Sequence, residues 1–478
     1  MVKAAAFVGA SATRGRRPGA HSAARAMDEP SLRWDPLLVW IAGYVLMSVG
    51  RVHQLFGFLE PLHLALLTGV VAIVLYLCDP LEERRSTHVL VPTTKYLLAL
   101  LVWMMLCVPG ALRVGNSFQL LFGNFVKTVL MYFVVAASIR GIRDAERMAG
   151  VYLAAVATYA AVVFSRFDVG DGDAWRLGRL YYYDANDFAT LAVTAIPIGL
   201  YFVHAGRRLR TKLLSALALA VLTVTFVRSG SRGGFLALMA VGSFIVLRYS
   251  AVALRWRLAL LTLVGLALYG TASDAYWKQM GTIVSDADYN HTEESGRLEI
   301  WHRGVGYMLD NPLFGVGPNN FGVAEGTLSP FADRQQFGVG VRWNAAHNSY
   351  IQIGAELGIP GLILLVATII SAFAALHRSG RRGAARADAQ PEGTPLVPAL
   401  TASLVGFVVG AFFLSLAYSE MLYTLLALTV GLRKGIDQAT SEAPEGPSPR
   451  RVFASPALGR ARAPMGTARG ALALPRPR

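Results

Sequence analysis

The sequence predicts an all-α, polytopic integral membrane protein: a helical bundle of about twelve transmembrane helices, with one large periplasmic loop between predicted spans 9 and 10. Three observations predict it. Hydrophobic residues make up 54% of the 478-residue chain and charged residues only 16%, too apolar for a soluble chain of this length. Apolar runs of membrane-spanning length recur from Trp34 to Leu432. Basic residues alternate between dense and sparse connections, the pattern by which positive charge orients a polytopic chain. The net charge of +15 therefore reads as cytoplasmic loops and tails facing anionic membrane lipids, and no nucleic-acid partner is expected. The two cysteines, Cys78 and Cys107, fall near opposite ends of neighbouring predicted spans. A disulfide between them is disfavoured, and no cysteine-based metal site is available.

In chain order, residues 1–33 are Ala/Arg-rich and polar, with one short apolar piece at 4–10. They read as a disordered basic cytoplasmic tail, or else translation starts at Met27, just before the first span. Residues 34–272 hold nine apolar runs, near 36–50, 61–78, 95–109, 119–139, 148–165, 187–203, 212–228, 233–248 and 256–272. Residues 273–346 form the large loop. A half-helix and three further runs, 359–377, 396–414 and 417–432, complete 347–432. Residues 433–478 are Pro/Arg/Ala-rich without periodicity and read as a second disordered basic tail.

Arg84 and Arg85, Arg140, Arg143 and Arg147, the 207–212 cluster, Arg248, Arg255 and Arg257, and the 378–386 cluster alternate with sparse connections, which places them in the cytoplasm. Three outward connections break the rule. Residues 166–186 carry Arg166, Arg176 and Arg179; the turn R-S-G-S-R-G-G carries Arg228 and Arg232; the large loop carries Arg297, Arg303, Arg334 and Arg342. Arginines where topogenesis disfavours them need another reason. Either they bind an anionic substrate or they pair with acids of the same loops, such as Asp171, Asp173, Glu293 and Glu294. A guanidinium donates two parallel hydrogen bonds to a phosphate and stays charged near lipid, which suits Arg228 and Arg232, although interfacial snorkelling also accounts for Arg228.

Within the large loop, G-R-L-E-I-W-H-R-G-V-G-Y-M-L-D-N-P reads as an amphipathic helix. Leu298, Trp301, Val305 and Met308 form its apolar stripe, lying on the membrane face with the tryptophan down, and Asn311-Pro312 stop it. The next stretch, L-F-G-V-G-P-N-N-F, is a turn; it lacks the ending of a nucleotide-binding loop. Then comes N-A-A-H-N-S-Y-I-Q-I-G-A-E-L-G-I-P-G. His347 sits where a polar loop turns into an apolar helix, and the 345–357 segment is too short to span and is closed by Gly358 and Pro360. That suits a half-helix dipping into the membrane surface. A helix start disfavours imidazolium and leaves the neutral, proton-accepting ring that a general base needs; the alternative is a histidine that merely caps the helix at the headgroups. Glu356 lies nine positions on, on the opposite side of a straight helix, so no His–Glu dyad is expected. The acidic runs at 168–173 and 286–288 read as solvated turns; no metal and no cofactor are expected.

Taken together these pieces resemble the O-antigen ligase/polymerase family of bacterial membrane glycosyltransferases. His347-Asn348, then nine residues, then Gly358-Ile-Pro-Gly361 is similar to the family's ligase pattern. The S-R-G-G turn, G-R-L-x-I-W with N-P-L-F-G-V-G-P-N-N-F, and Y-Y-Y-D-A-N-D-F-A before a span carry the rest, over roughly 179–376. The resemblance implies a metal-independent transferase of the bacterial inner (plasma) membrane, with its active site facing the periplasm. It would move a glycan from an undecaprenyl-pyrophosphate donor to an acceptor hydroxyl, on lipid A core, a protein or another lipid-linked glycan. By the same resemblance His347 is the catalytic base, Arg232 and Arg297 hold the pyrophosphate with Arg228 and Arg179 as helpers, and Asn348 orients the ring or the substrate. A polymerase of the same family, joining repeat units, is the alternative within this chemistry. A lipid-linked glycan transporter is the alternative of another class, disfavoured because the polar residues gather at one membrane face.

Overall fold

The computed structural model describes residues 34–166, 175–177, 182–249, 253–285, 290, 296–333, 345–385 and 396–441. Among them the chain is helical, with no strand. In order the helices are α1 (Pro36–Ser48), α2 (Val52–Leu55), α3 (Leu64–Leu77), α4 (Pro92–Cys107), α5 (Val114–Leu120), α6 (Val126–Ser138), α7 (Ile142–Arg166), α8 (Ala185–Ala205), α9 (Leu209–Ser229), α10 (Arg232–Arg248), α11 (Leu254–Thr271), α12 (Asp274–Gly281), α13 (Arg297–Asp310), α14 (Phe321–Thr327), α15 (Ser349–Ala385), α16 (Leu396–Ala411) and α17 (Glu420–Ser441). A wider helical turn at Leu121–Phe125 joins α5 to α6 as one continuous span, Val114–Ser138.

Every apolar run expected from the sequence falls on one of these helices. Six are long and apolar enough to cross a membrane, seven if the bent pair α11–α12 counts as one span. Three more, α1, α4 and α16, are apolar but shorter. The protein is thus an all-α, multi-pass membrane protein. The described residues support fewer full-length spans than the sequence suggested, because several apolar runs form helices of 13 to 17 residues. Close packing explains how such helices associate without a hydrophobic drive in lipid: a Cβ on Gly410 of α16 would lie 2.5 Å from Thr190 of α8.

One end of the bundle is tied by charge. Arg84, only 3% exposed, donates to both Asp35 and Asp79. Arg140 reaches Asp35 at 3.0 Å and Asp144 at 2.7 Å, and Arg147 reaches Asp144 at 2.9 Å. Part of the basic charge expected to face lipid is therefore internally paired. Lys434 joins this end by donating to the carbonyls of Ala137 at 2.7 Å and Glu83 at 2.8 Å. With Arg433 and Asp437 one turn apart at 3.4 Å, that anchor carries α17 to Ser441, so the tail does not begin at 433 as the loss of apolar residues suggested. The remaining parts of both tails, 1–33 and 442–478, lie outside the described residues.

The other end gathers the connections at Arg51, Arg113, 228–232 and 412–419. Arg51 pairs with Glu420 at 3.0 Å. The 311–320 segment docks on the α4–α5 connection: Leu112 N–H donates to the Val316 carbonyl at 3.0 Å, Arg113 N–H to Asn320 Oδ1 at 2.9 Å, and Ser117 Oγ to the Pro318 carbonyl at 2.7 Å.

Candidate functional site

The site is built on the break in α15. Gly358 has φ 70° and ψ −174°, a conformation essentially restricted to glycine, and it divides the element into a short half-helix and a long span. The half-helix that the sequence suggested is present. Ending it there strands the carbonyls of its last turn. Val316 N–H takes that of Ala355 at 2.8 Å, Gly317 N–H that of Glu356 at 3.0 Å, and the Trp103 indole that of Leu357 at 2.9 Å. The Gly-rich turn after Pro312 is the collar around this break. Gly315 and Gly317 have φ 65° and 98°, and a Cβ on Gly315 would lie 2.4 Å from the Glu356 carbonyl carbon.

Glu356 is 1% exposed and holds the same turn from inside, accepting from Asn319 N–H at 3.0 Å, Phe321 N–H at 3.2 Å and Tyr418 Oη at 2.6 Å. It braces the half-helix and makes no dyad with His347, as the helical geometry indicated.

At the start of the half-helix Asn348, 1% exposed, caps α15 through Oδ1, which accepts from Tyr350 N–H at 2.9 Å and Ile351 N–H at 3.1 Å. His347 stands one residue outside, half-buried, with φ 46°. A non-glycine residue in the left-handed region must be held there by its surroundings. His347 N–H donates to Ser415 Oγ at 3.0 Å. Ser349 Oγ donates to the Leu414 carbonyl at 2.7 Å and accepts from Leu416 N–H at 2.8 Å. The α16–α17 connection thus fixes the loop from one side.

From the other side comes α13. Its buried face is Ile300, Gly304 and Tyr307, not the stripe of Leu298, Trp301, Val305 and Met308. The helix lies against α15, where a Cβ on Gly304 would be 2.5 Å from Ile351 and one on Gly354 2.5 Å from Met308 Sδ, while Leu298 stays exposed. Trp301 reaches the histidine loop: its indole donates to the Ala346 carbonyl at 3.0 Å and its ring meets Phe412 edge-on at 5.3 Å.

Arg232 opens α10, immediately after Ser231, whose Oγ caps the helix by accepting from Gly234 N–H at 3.0 Å. Arg232 Nη1 donates to Thr282 Oγ1 at 2.7 Å. Arg297 opens α13. These two arginines, 65 positions apart in sequence (297 − 232), line one pocket of about 210 Å³ with Thr282, Asn290, Trp301 and Phe413. His347 is not among the residues lining this pocket; it is tied to it through the preceding residue, Ala346, whose carbonyl accepts from the pocket residue Trp301. Its ring is held below the usual imidazole range, first by burial and then by the Arg297 charge, with Asp184 opposing. The sequence argument invoked the helix start; burial is the larger cause.

Arg228 occupies the last turn of α9, where its carbonyl accepts from Leu177 N–H at 2.8 Å; it is not among the pocket-lining residues. Arg179 lies outside the described residues, as do Arg334, Arg342 and the acidic runs at 168–173 and 286–288. Other outward arginines are structural. Arg176 donates to the Ser229 carbonyl at 2.7 Å and to Asn186 Oδ1 at 3.0 Å, and Arg303 binds Glu325 at 2.7 Å. Arg303 thus pairs with an acid of its own loop, as the alternative reading held, through Glu325 and not Glu293 or Glu294. Thr282, Asn290, Asp184, Phe413 and Ser415 were not singled out in sequence, where each is an ordinary loop or cap residue. Among the described residues no group of three or more His, Cys, Asp or Glu side chains is arranged to hold a metal ion.

Fold and site define a multi-pass helical membrane protein with a cationic pocket beside a buried, neutral-leaning histidine. Residues 217–366 match the family model described as O-antigen ligase, and that match contains Arg228, Arg232, Arg297, His347 and Asn348. The chain is also 22% identical over 227 residues to an uncharacterized protein of Haemophilus influenzae, an alignment covering 45% of this chain and 56% of that protein. The chain thus spans little more than half the length of that relative. The match to this family model supports a transferase role in general terms.

Proposed function

We propose that the protein is an O-antigen ligase-like glycosyltransferase, moving a glycan from undecaprenyl pyrophosphate to an acceptor hydroxyl at the periplasmic face of the inner membrane. In this reading His347 accepts the acceptor's hydroxyl proton, and the acceptor oxygen forms a bond to the anomeric carbon. The bond from that carbon to the pyrophosphate oxygen breaks with inversion, and the electron pair leaves with the lipid pyrophosphate. Arg232 and Arg297 offset the charge developing there. The observation that carries the reading is the shared pocket of Arg232 and Arg297, whose second arginine adds to burial in lowering the His347 pKa. A general base must be neutral at working pH, and a leaving pyrophosphate needs fixed cations; one arginine serves both needs.

The test is glycan transfer by purified protein in detergent from a defined lipid-pyrophosphate donor to a second lipid. Transfer without separated compartments is chemistry that a transporter does not perform. The product identifies the acceptor, lipid A core for a ligase and a lengthened lipid-linked glycan for a polymerase. Absence of any transferred glycan, with donor bound, ends the transferase reading.

A further inference from the structure

A cleft of about 330 Å³ lies against the histidine loop and shares no described lining residue with the pocket of Arg232 and Arg297. Four separate segments converge on it: Asn116 from α5, Asn319 from the Gly-rich collar, Gln352 from the half-helix and Ser415 from the α16–α17 connection. Its volume sits at the lower end of the roughly 300–1,000 Å³ usual for small-ligand sites. The cationic pocket reaches the histidine loop through Trp301 and Phe413. The cleft reaches it through Ala345, Ala346 and Ser415.

The described lining is neutral, and part of its hydrogen-bonding capacity is open. Other asparagines at this end are spent on the fold: Asn320 donates to Ser117 Oγ at 2.8 Å, and Asn348 caps the half-helix. The side-chain amides of Asn116 and Asn319 bond to no other described residue, and both can be reached, Asn319 being exposed and Asn116 half-buried. Ser415 Oγ accepts from His347 N–H at 3.0 Å, which leaves its own proton for a ligand. Glu356 is the one carboxylate among the described lining residues; it is 1% exposed and held by Asn319 N–H, Phe321 N–H and Tyr418 Oη. None of the described lining residues is basic.

We propose that this cleft holds the sugar of the acceptor, a neutral glycan recognised through its hydroxyls. The inference rests on the transferase reading and adds the acceptor's place to it. Amides and a serine hydroxyl both donate and accept, as sugar hydroxyls do, whereas an acidic or phosphorylated group calls for a cation that the described lining does not supply. An inverting displacement needs the acceptor oxygen and the leaving oxygen on opposite sides of the reacting carbon, so acceptor and pyrophosphate require separate pockets flanking the base. Ser415 ties the two tasks together, because the hydroxyl that holds the His347 backbone also faces the sugar.

The test is steady-state transfer by the full-length protein in octaethylene glycol dodecyl ether, a detergent without a sugar, with the lipid-pyrophosphate donor and the glycolipid acceptor varied in turn. Asn116→Ala removes one amide, and Asn319→Gly removes the other at a residue whose φ of 57° glycine adopts freely. Each should raise KM for the acceptor roughly two- to tenfold, and the double variant about tenfold or more, with KM for the donor and the melting temperature unchanged. Arg232→Gln should do the reverse, raising KM for the donor alone. Added salt should raise KM for the donor, which faces two arginines, and leave KM for the acceptor in place. The assignment is overturned if the double variant keeps the natural acceptor KM, if its donor KM rises equally, or if acceptor KM follows salt as the donor's does. Absence of transfer by the natural protein overturns the transferase reading itself, and the acceptor site with it.

Discussion

Arg297 is the residue whose removal separates the two jobs assigned to the site. Substituting Arg297→Gln takes one guanidinium from the pocket it shares with Arg232 and takes away the charge that acts on the His347 ring. The first loss is that of a charge-assisted contact to phosphate, about 1.5–3 kcal/mol. That corresponds to a fall of roughly ten- to 150-fold in kcat/KM for the lipid-pyrophosphate donor. The second loss has a sign. Arg297 lowers the His347 pKa, so its removal lets that pKa rise, and the fraction of neutral base at mildly acidic pH falls. Burial, the larger cause, remains, so the shift is partial. The acid limb of the rate profile should therefore move to higher pH in Arg297→Gln. In Arg232→Gln it should stay where it is, because Arg232 is not among the charges acting on the ring, although donor use falls comparably. The assay is kcat/KM for glycan transfer by the purified protein between pH 5 and 8. An unmoved acid limb in Arg297→Gln, or a moved one in Arg232→Gln, refutes the reasoning.

Other expectations follow from the same geometry. His347→Ala should abolish transfer while leaving donor binding measurable; a normal glycan product in cells carrying only this variant would contradict the base assignment. In the unmodified protein the depressed His347 pKa means that folded-state stability linked to this ring is fully present above the ordinary imidazole value and is lost as pH falls below it, measurable as a lower melting temperature in acid that His347→Gln does not show. Trp301→Phe deletes the 3.0 Å bond to the Ala346 carbonyl and should cost about 1 kcal/mol of stability, with a larger loss in kcat than in KM because the histidine loop is loosened. Gly358→Ala forces a side chain into a glycine-only conformation, with its Cβ 2.3 Å from the Leu313 carbonyl oxygen. A loss of about 3 kcal/mol or more in thermal unfolding is expected, and an unaltered melting temperature would show that the break is not needed.

The sequence by itself determined the membrane class, the run of helices, the half-helix before Gly358 and the candidacy of His347, Arg232 and Arg297. Each of these is written in local terms: apolar length, a glycine and proline after a short helix, or a charge where the topology discourages one. Tertiary structure alone decided which arginines line the pocket. Arg176 and Arg303 look like Arg232 in sequence, but Asn186, the Ser229 carbonyl and Glu325 claim them, and those partners are set by packing between distant segments. It also decided which residues of α13 pack on α15, Gly304 against Ile351 and Met308 against Gly354. Burial of the His347 ring, the largest cause of its lowered pKa, is likewise a product of several segments closing around one residue. Periodicity reports what a segment can do alone; burial and pairing depend on what the rest of the chain brings to it.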